Sequence, residues 1–170
     1  MTPELRLDIA FPPEWARIEP IRQAVRLCVA ALFGEAEFKD GIAMAGAELL
    51  ENAVKYGASG SESVRLSLRE SAEAITLEVT NQLDAGCGDA RALRERIEWT
   101  RGFDDAAKAY MAALAEVYAQ PEREDHASGL GLVRIAYEGG CALDYSLAGG
   151  QVTVRARYAL PTRAAVGRTG

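Results

Sequence analysis

The sequence has little histidine and cysteine, the residues that bind transition metals and build disulfide frameworks. Its 170 residues include one histidine, His126, and three cysteines, Cys28, Cys87 and Cys141. An odd number of cysteines at wide spacings is typical of reduced thiols rather than of paired disulfides or a zinc site. The sequence therefore argues against a zinc protein and against a disulfide-stabilised fold.

Long apolar runs and dense basic clusters are absent as well. No stretch approaches the roughly 20 consecutive apolar residues of a membrane span, and the N-terminus has no basic flank followed by an apolar signal core. The formal net charge of −6 disfavours a surface that coats nucleic acid. We therefore expect a cytoplasmic protein whose partners include neither a membrane nor nucleic acid.

Chain length and apolar content predict one domain. The sequence has 49% hydrophobic residues, which is enough for one continuous core in a chain of this size. It contains no internal repeat and no low-complexity linker that would divide it. We predict a single domain over residues 1–160, followed by a flexible tail at residues 161–170 that has no periodic pattern.

Hydrophobic periodicity predicts the order of helices and strands. The pattern indicates a strand at residues 5–9, helices at 14–33 and 42–56 with a turn at 35–40, strands at 64–68 and 75–79, a helical insertion or lid at 90–120, a helix at 130–137, and strands at 142–147 and 152–158. Strands joined by hairpins, with helices gathered elsewhere, are typical of an α+β protein. We predict a two-layer α/β sandwich in which helices cover one face of a mixed, mostly antiparallel sheet.

Two polar residues lie on one face of the second predicted helix. Glu48 and Asn52 are four residues apart, and this spacing brings side chains together on a helix. A carboxylate can accept a proton, and a carboxamide oxygen suits a hard divalent cation. This combination is what phosphoryl transfer from a metal-bound nucleotide requires, although such a pair is also common at a solvated helix edge.

A glycine-rich segment begins the helix predicted at 130–137. It consists of Gly129, Leu130, Gly131 and Leu132. Backbone N–H groups at a helix start favour anionic oxygens, and glycine lets phosphates approach the backbone. Lys55 follows Asn52 by about one turn, where it would either add a positive charge near the phosphates or be a surface lysine.

Together these segments resemble the N-box and the late glycine box of the GHKL superfamily, which contains histidine-kinase and Hsp90-like ATPases. The resemblance extends over roughly residues 5–158. It is closest to the small anti-sigma-factor serine kinases, and the long helical stretch before the glycine box is similar to that of SiaB-like regulatory protein kinases. The resemblance implies a Bergerat-type ATP-binding fold, with ATP and Mg2+ as cofactors.

The resemblance also implies roles for individual residues. Glu48 corresponds to the general base that activates a Ser or Thr hydroxyl, and Asn52 corresponds to the magnesium ligand. The segment from Gly129 to Leu132 corresponds to the box that wraps the phosphates. The implied partner is a small regulatory protein similar to an anti-sigma-factor antagonist, with a sigma factor as a further candidate and a homodimer as a candidate assembly.

The middle motif departs from the family pattern. The superfamily has Asp-x-Gly-x-Gly after the third strand, and its Asp binds the adenine amino group. Strand parity places Asn81 at this position, whereas the literal match begins at Asp84 and includes Gly86. Either Asp84 reaches the adenine through a longer strand or bulge, or Asn81 accepts the same hydrogen bond without charge.

Three functions are compatible with these patterns. The first is an ATP-dependent serine/threonine kinase of a partner-switching system. The second is a non-catalytic interaction module that keeps the fold without using ATP. The third is a nucleotide sensor that binds without transferring phosphate.

Overall fold

Among the described residues, five strands form one sheet, and each of its pairings is antiparallel. Their order across the sheet is β1-β2-β3-β5-β4. The strands are β1 (Arg6–Phe11), β2 (Val64–Glu70), β3 (Ala74–Gln82), β4 (Cys141–Ala148) and β5 (Gln151–Ala159). This computed structural model describes residues 5–34, 36–58, 60–83, 89–119 and 129–161. The predictions for Asp84, Gly86, Cys87, His126 and residues 162–170 therefore lie outside the described residues.

Two hairpins create the pairings β2–β3 and β4–β5. The β4–β5 turn uses Gly149 and Gly150 at φ 58° and 75°. Two consecutive positive φ values match the right-handed twist of the flanking strands, and glycine adopts them without steric cost. In the other hairpin, the Ser71 amide donates to the Ala74 carbonyl at 2.8 Å. Local turn chemistry thus sets the register of both hairpins.

Alternation along the strands gives the sheet one apolar and one polar face. The buried side chains on the apolar face include Val64, Leu66, Leu68, Leu77, Val79, Leu143, Val152, Val154 and Ala156. The opposite face carries polar side chains, among them Arg155, whose Nε donates to Glu78 at 2.6 Å. Only the apolar face needs a covering layer.

In the part of the chain that the structure describes, five helices form that layer. They are α1 (Ile18–Phe33), which follows one 3-10 turn, α2 (Phe38–Tyr56), α3 (Asp89–Arg101), α4 (Ala106–Ala119) and α5 (Leu130–Tyr137). The central helix is α2, which contacts three strands as well as α1 and α5. The α+β class and the two-layer sandwich predicted from the sequence are confirmed.

One boundary prediction was wrong. The turn predicted for residues 35–40 is shorter, because α2 already begins at Phe38. The Phe38 ring stacks on Tyr158 with a centroid distance of 4.9 Å and contacts Phe33 edge-on at 5.3 Å. Phe38 precedes Ile42 by four residues and therefore lies on the same face of α2.

The helical insertion consists of α3 and α4, separated by a turn at Gly102. In α3, Ile97 is fully buried, and Leu93 packs against the main core. Through Ala109 and Ala113, α4 packs next to Val133 of α5. The insertion thus belongs to the packed structure. Among the described residues, no helix is long and apolar enough to cross a membrane.

Two glycines inside α2 give a stability test. A Cβ at Gly46 would make ordinary contacts, 3.8 Å from Leu77 and 3.9 Å from Val25, whereas a Cβ at Gly41 would lie 3.1 Å from the Glu138 carbonyl oxygen. We expect Gly46→Ala to raise the free energy of unfolding by about 0.5–1 kcal/mol, because alanine loses less backbone entropy in a helix.

The matched variant Gly41→Ala should gain nothing or lose stability, because a backbone carbonyl blocks its methyl group. Urea unfolding of both variants measures the difference. A destabilised Gly46→Ala variant would contradict the packing described for α2.

Candidate functional site

Burial of one side of α2 determines where Glu48 and Asn52 point. Ile42, Ala45, Leu49 and Ala53 face the core and are almost fully buried. Residues next to this stripe lie at the border between the core and the helix surface. Glu48 is at this border, with a side chain 15% exposed.

An arginine from α5 binds the Glu48 carboxylate. Arg134 Nη1 donates to Glu48 Oε1 at 2.5 Å. The same guanidinium is held from the other side by Glu138, with Nε donating to Oε1 at 3.0 Å and Nη2 to Oε2 at 3.2 Å. Glu48, Arg134 and Glu138 therefore form one charged chain across the α2–α5 contact.

The pKa of Glu48 is raised above its ordinary value of 4.5, chiefly because burial disfavours the charged carboxylate. The neighbouring charges of Glu51 and Glu138 raise the pKa further, and Arg134 lowers it. A carboxylate with raised pKa beside a groove is a candidate acid–base group.

The glycine segment of α5 begins directly against Glu48. Gly129 has φ 62° and precedes the first residue of the helix. A Cβ at Gly131 would lie 2.5 Å from Oε2 of Glu48, so any side chain there would displace the carboxylate. Leu130 and Leu132 turn their side chains into apolar clusters. The structure thus brings Glu48 and the start of α5 together.

Glu48 and Arg134 line an open groove of about 420 Å³ between α1, α2 and α5. Trp15 stands at its rim with 59% of its surface exposed. Arg22 and Glu19 form a 2.7 Å ion pair in its wall. The groove therefore combines an exposed aromatic ring with the candidate base.

Asn52 and Asn81 line a second, enclosed cavity between α2 and the sheet. Asn52 Nδ2 is buried and has no hydrogen-bond partner among the described residues. Asn81 is 5% exposed, and its Nδ2 donates to the Gln82 carbonyl at 3.2 Å. An orphaned buried amide is costly, which marks this cavity as a place where a polar ligand atom would be stabilising.

The cavity is small in this structure. Its volume is about 20 Å³, and Leu83 and Leu93 are among the side chains that line it. Roughly 10–15 Å³ accommodates one water molecule. A nucleotide would therefore enter only if these leucines moved.

Lys55, another predicted site residue, is not among the residues that line this cavity. Lys55 is exposed, and its Nζ lies 5.0 Å from the centroid of the Tyr56 ring. Asp84 and Gly86 lie outside the described residues. In the part of the chain that the structure describes, no group of three or more His, Cys, Asp or Glu residues could hold a metal ion.

The sequence interpretation missed four residues at the site: Arg134, Glu138, Leu93 and Arg96. Arg134 and Glu138 carry a weak signal in their i,i+4 spacing, which is typical of a helical ion pair. The spacing of Leu93 and Ile97 indicates an amphipathic face that packs on the core. Arg96 has no such signal.

Arg96 lies against the start of α5. Its Nε donates to the Gly129 carbonyl at 3.3 Å, and its guanidinium carbon lies 4.1 Å from the centroid of the Trp99 ring. Its Nη1 donates to Glu116 at 2.8 Å, while Nη2 is buried without a partner among the described residues. One cation from α3 thus lies against the glycine segment.

The fold and site together define an α+β two-layer sandwich with an amide-lined cavity and a carboxylate-lined groove in its helical layer. Among solved structures, this chain is similar to one in "The crystal structure of SiaB-SiaC complex from Pseudomonas aeruginosa". The TM-score is 0.67 at 20% sequence identity, and the alignment covers 91% of this chain and 89% of that chain. At this identity the similarity shows a shared fold. No protein-family profile matches the sequence, and no curated protein matches it.

Burial of the Glu48 carboxylate predicts a pH-dependent effect of Glu48→Gln. The pKa of Glu48 in the folded protein lies above 4.5, its value in the unfolded chain. Ionising Glu48 therefore lowers the free energy of unfolding as the pH rises from the unfolded pKa through the folded pKa. We expect the variant to be more stable than wild type at pH 7, and the gain to vanish below about pH 4.5.

Chemical denaturation between pH 4 and pH 8 measures this gain. Glu62→Gln is the control, because Glu62 is exposed and distant from the α2–α5 contact in sequence. A Glu48→Gln variant that is less stable than wild type by the same amount at every pH would contradict the conclusion that burial disfavours the charged form of Glu48.

Proposed function

We propose that this protein is an ATP-dependent serine/threonine kinase of a partner-switching system, within the GHKL superfamily. The observation that carries the proposal is the arrangement on α2. A half-buried carboxylate, Glu48, lies against the glycine start of α5, and a buried amide without a partner, Asn52, follows one turn later. These are the parts that a base, a metal ligand and a phosphate site require.

In the proposed reaction, Glu48 Oε2 accepts the proton of a Ser or Thr hydroxyl on the partner protein. The hydroxyl oxygen forms a bond to the γ-phosphorus of ATP, and the bond from this phosphorus to the β–γ bridging oxygen breaks. ADP leaves with the bonding electrons, and Glu48 then releases its proton to solvent. Burial, which raises the pKa of Glu48, makes the carboxylate a better proton acceptor.

Three further groups would hold the nucleotide. Asn52 is the candidate ligand for Mg2+, which when bound neutralises charge on the phosphates. Backbone N–H groups from Gly129 to Leu132 are the candidate phosphate donors. For the adenine, Asn81 is favoured because it lines the same cavity as Asn52, and Asp84 stays the alternative.

The proposed partner is a small regulatory protein, of the type represented by anti-sigma-factor antagonists. The similar solved structure is a complex of two proteins, SiaB and SiaC, which supports a regulatory role exercised through a protein partner. A sigma factor and a homodimer are further parts of this hypothesis that no contact in the structure addresses.

A second candidate function is a non-catalytic interaction module. The observation that favours it is the small cavity around Asn52 and Asn81, which at about 20 Å³ has no room for a nucleotide. A nucleotide sensor would share the binding site of the kinase but lack transfer. Binding and turnover measurements separate the three functions.

The first test titrates the protein with labelled ATP, with and without Mg2+. Wild type should bind in a magnesium-dependent manner, and Asn52→Ala should lose most of this dependence. Glu48→Ala should still bind ATP but lose turnover by about 10²-fold or more, because a general base acts on the nucleophile. No binding by wild type would favour the interaction module, and binding without any turnover would favour the sensor.

The second test asks whether α3 closes the nucleotide cavity. Leu93→Ala removes a side chain that must leave the cavity when a nucleotide enters, so we expect ATP affinity to rise about tenfold. Met111→Ala on α4 is the control, since Met111 is exposed and lines no part of the cavity. Equal affinity of Leu93→Ala and wild type would place the nucleotide elsewhere.

A further inference from the structure

The charged chain across the α2–α5 contact divides the two oxygens of Glu48 between different environments. Oε1 accepts the 2.5 Å hydrogen bond from Arg134 Nη1. Oε2 accepts none from any residue that the structure describes, and it lies over the Cα of Gly131. One oxygen is therefore fixed, and the other is available.

We infer that Arg134 is a positioning residue that holds Oε1 of Glu48 and thereby presents Oε2, over Gly131, to the acceptor hydroxyl. The inference deepens the proposed function and rests on it for the role of Glu48 as base. The contact itself is a property of the folded chain, and it can be tested without a nucleotide.

The geometry of the guanidinium explains why an arginine occupies this position. Two of its nitrogens, Nε and Nη2, face the Glu138 carboxylate at 3.0 and 3.2 Å, which leaves Nη1 directed at Glu48. A two-point contact fixes the plane of the guanidinium, whereas a lysine ammonium has no such plane. Glu138 therefore orients Arg134, and Arg134 orients Glu48. The logic is that of a base oriented by a third group.

The absence of a side chain at Gly131 completes the arrangement. Because a Cβ there would lie 2.5 Å from Oε2, only glycine leaves this oxygen in place. Arg134 and Gly131 belong to the same helix, α5, so one element both fixes the carboxylate and makes room for it. The glycine thus serves Glu48 as well as the proposed phosphate site.

Several charges face this carboxylate, and they decide how it responds to the loss of Arg134. Glu51 on α2 and Glu138 on α5 raise the pKa of Glu48, and Arg134 lowers it. Glu19 on α1, in the wall of the same groove, is paired with Arg22 at 2.7 Å. Removing the Arg134 charge leaves the effects of Glu51 and Glu138 on the pKa of Glu48 without an opposing positive charge.

The first experiment measures the Glu48 titration in the protein without nucleotide, by 13C NMR of labelled glutamate carboxyls assigned with Glu48→Gln. Arg134→Gln should move the titration to higher pH, and Arg134→Lys should move it less. Arg155→Gln is the matched control, because it breaks the ion pair of Arg155 with Glu78 on the polar face of the sheet. The Arg155 side chain is 36% exposed and the Arg134 side chain is 38% exposed. An unchanged titration in Arg134→Gln overturns the inference.

The second experiment measures phosphate release from Mg·ATP as a function of pH, with water in place of the partner hydroxyl as the acceptor that Glu48 deprotonates. Arg134→Gln should lower kcat about tenfold or more with KM nearly unchanged, because misplacing a base affects the reacting geometry rather than nucleotide binding. The acidic limb of its pH profile should move to higher pH. Arg134→Lys should also lower kcat. The acidic limb of its pH profile should stay close to that of wild type, because lysine keeps the positive charge but lacks the planar guanidinium that makes the two-point contact.

The two experiments separate this inference from the proposed function. If wild type releases phosphate and both Arg134 variants do so with the same kcat, the proposed kinase function stands and the positioning role of Arg134 is overturned. If neither wild type nor any variant releases phosphate but the Glu48 titration shifts as described, the coupling of Arg134 to Glu48 stands and the role of Glu48 as a base toward water fails. Arg155→Gln should behave as wild type in both experiments, and a shift in this control would attribute the effect to general charge removal.

Discussion

The packing of α2 on the sheet is the constraint on which the rest of the structure depends. Its buried stripe fixes the rotation of the helix, and Leu77 of β3 and Val25 of α1 lie next to Gly46 on this side of it. Once this rotation is fixed, Glu48 must point to the groove beside α5, and Asn52 must point into the cavity above the sheet. Both candidate functional groups are thus positioned by hydrophobic burial rather than by their own contacts.

Both groups also cost stability where they lie. Burial raises the pKa of Glu48 because it disfavours the charged carboxylate, and Asn52 Nδ2 is buried without a partner among the described residues. A chain selected only for stability would replace them, because an unsatisfied buried polar group costs about 1–3 kcal/mol. Such local costs are concentrated at binding and catalytic sites, where the missing partner is a ligand or a reacting group.

The insertion connects the site to the stability of the fold. Leu93 packs on the same core as the central helix and lines the Asn52 cavity, so a ligand in this cavity would compete with α3 for the same space. On α5, Arg96 of α3 bonds the Gly129 carbonyl at the start of the glycine segment. Any movement of α3 would therefore change both ends of the site together.

The sequence by itself determined what depends on neighbours along the chain. Period-two alternation gave the strands and their buried faces, glycine pairs gave a hairpin turn, and the i,i+4 spacing put Glu48 and Asn52 on one helix face, because each of these is a local property of the backbone. The start of α2 was missed although Phe38 lies four residues before Ile42 and so continues the apolar stripe of this helix.

Only the tertiary structure decided how distant segments meet. The hydrogen bond from Arg134 to Glu48 joins residues 86 positions apart, and no local pattern encodes it. The same holds for the approach of Gly131 to the carboxylate and for the small volume left around Asn52 and Asn81. These features depend on side-chain packing between separate elements, which is short-ranged in space and unrelated to spacing in sequence.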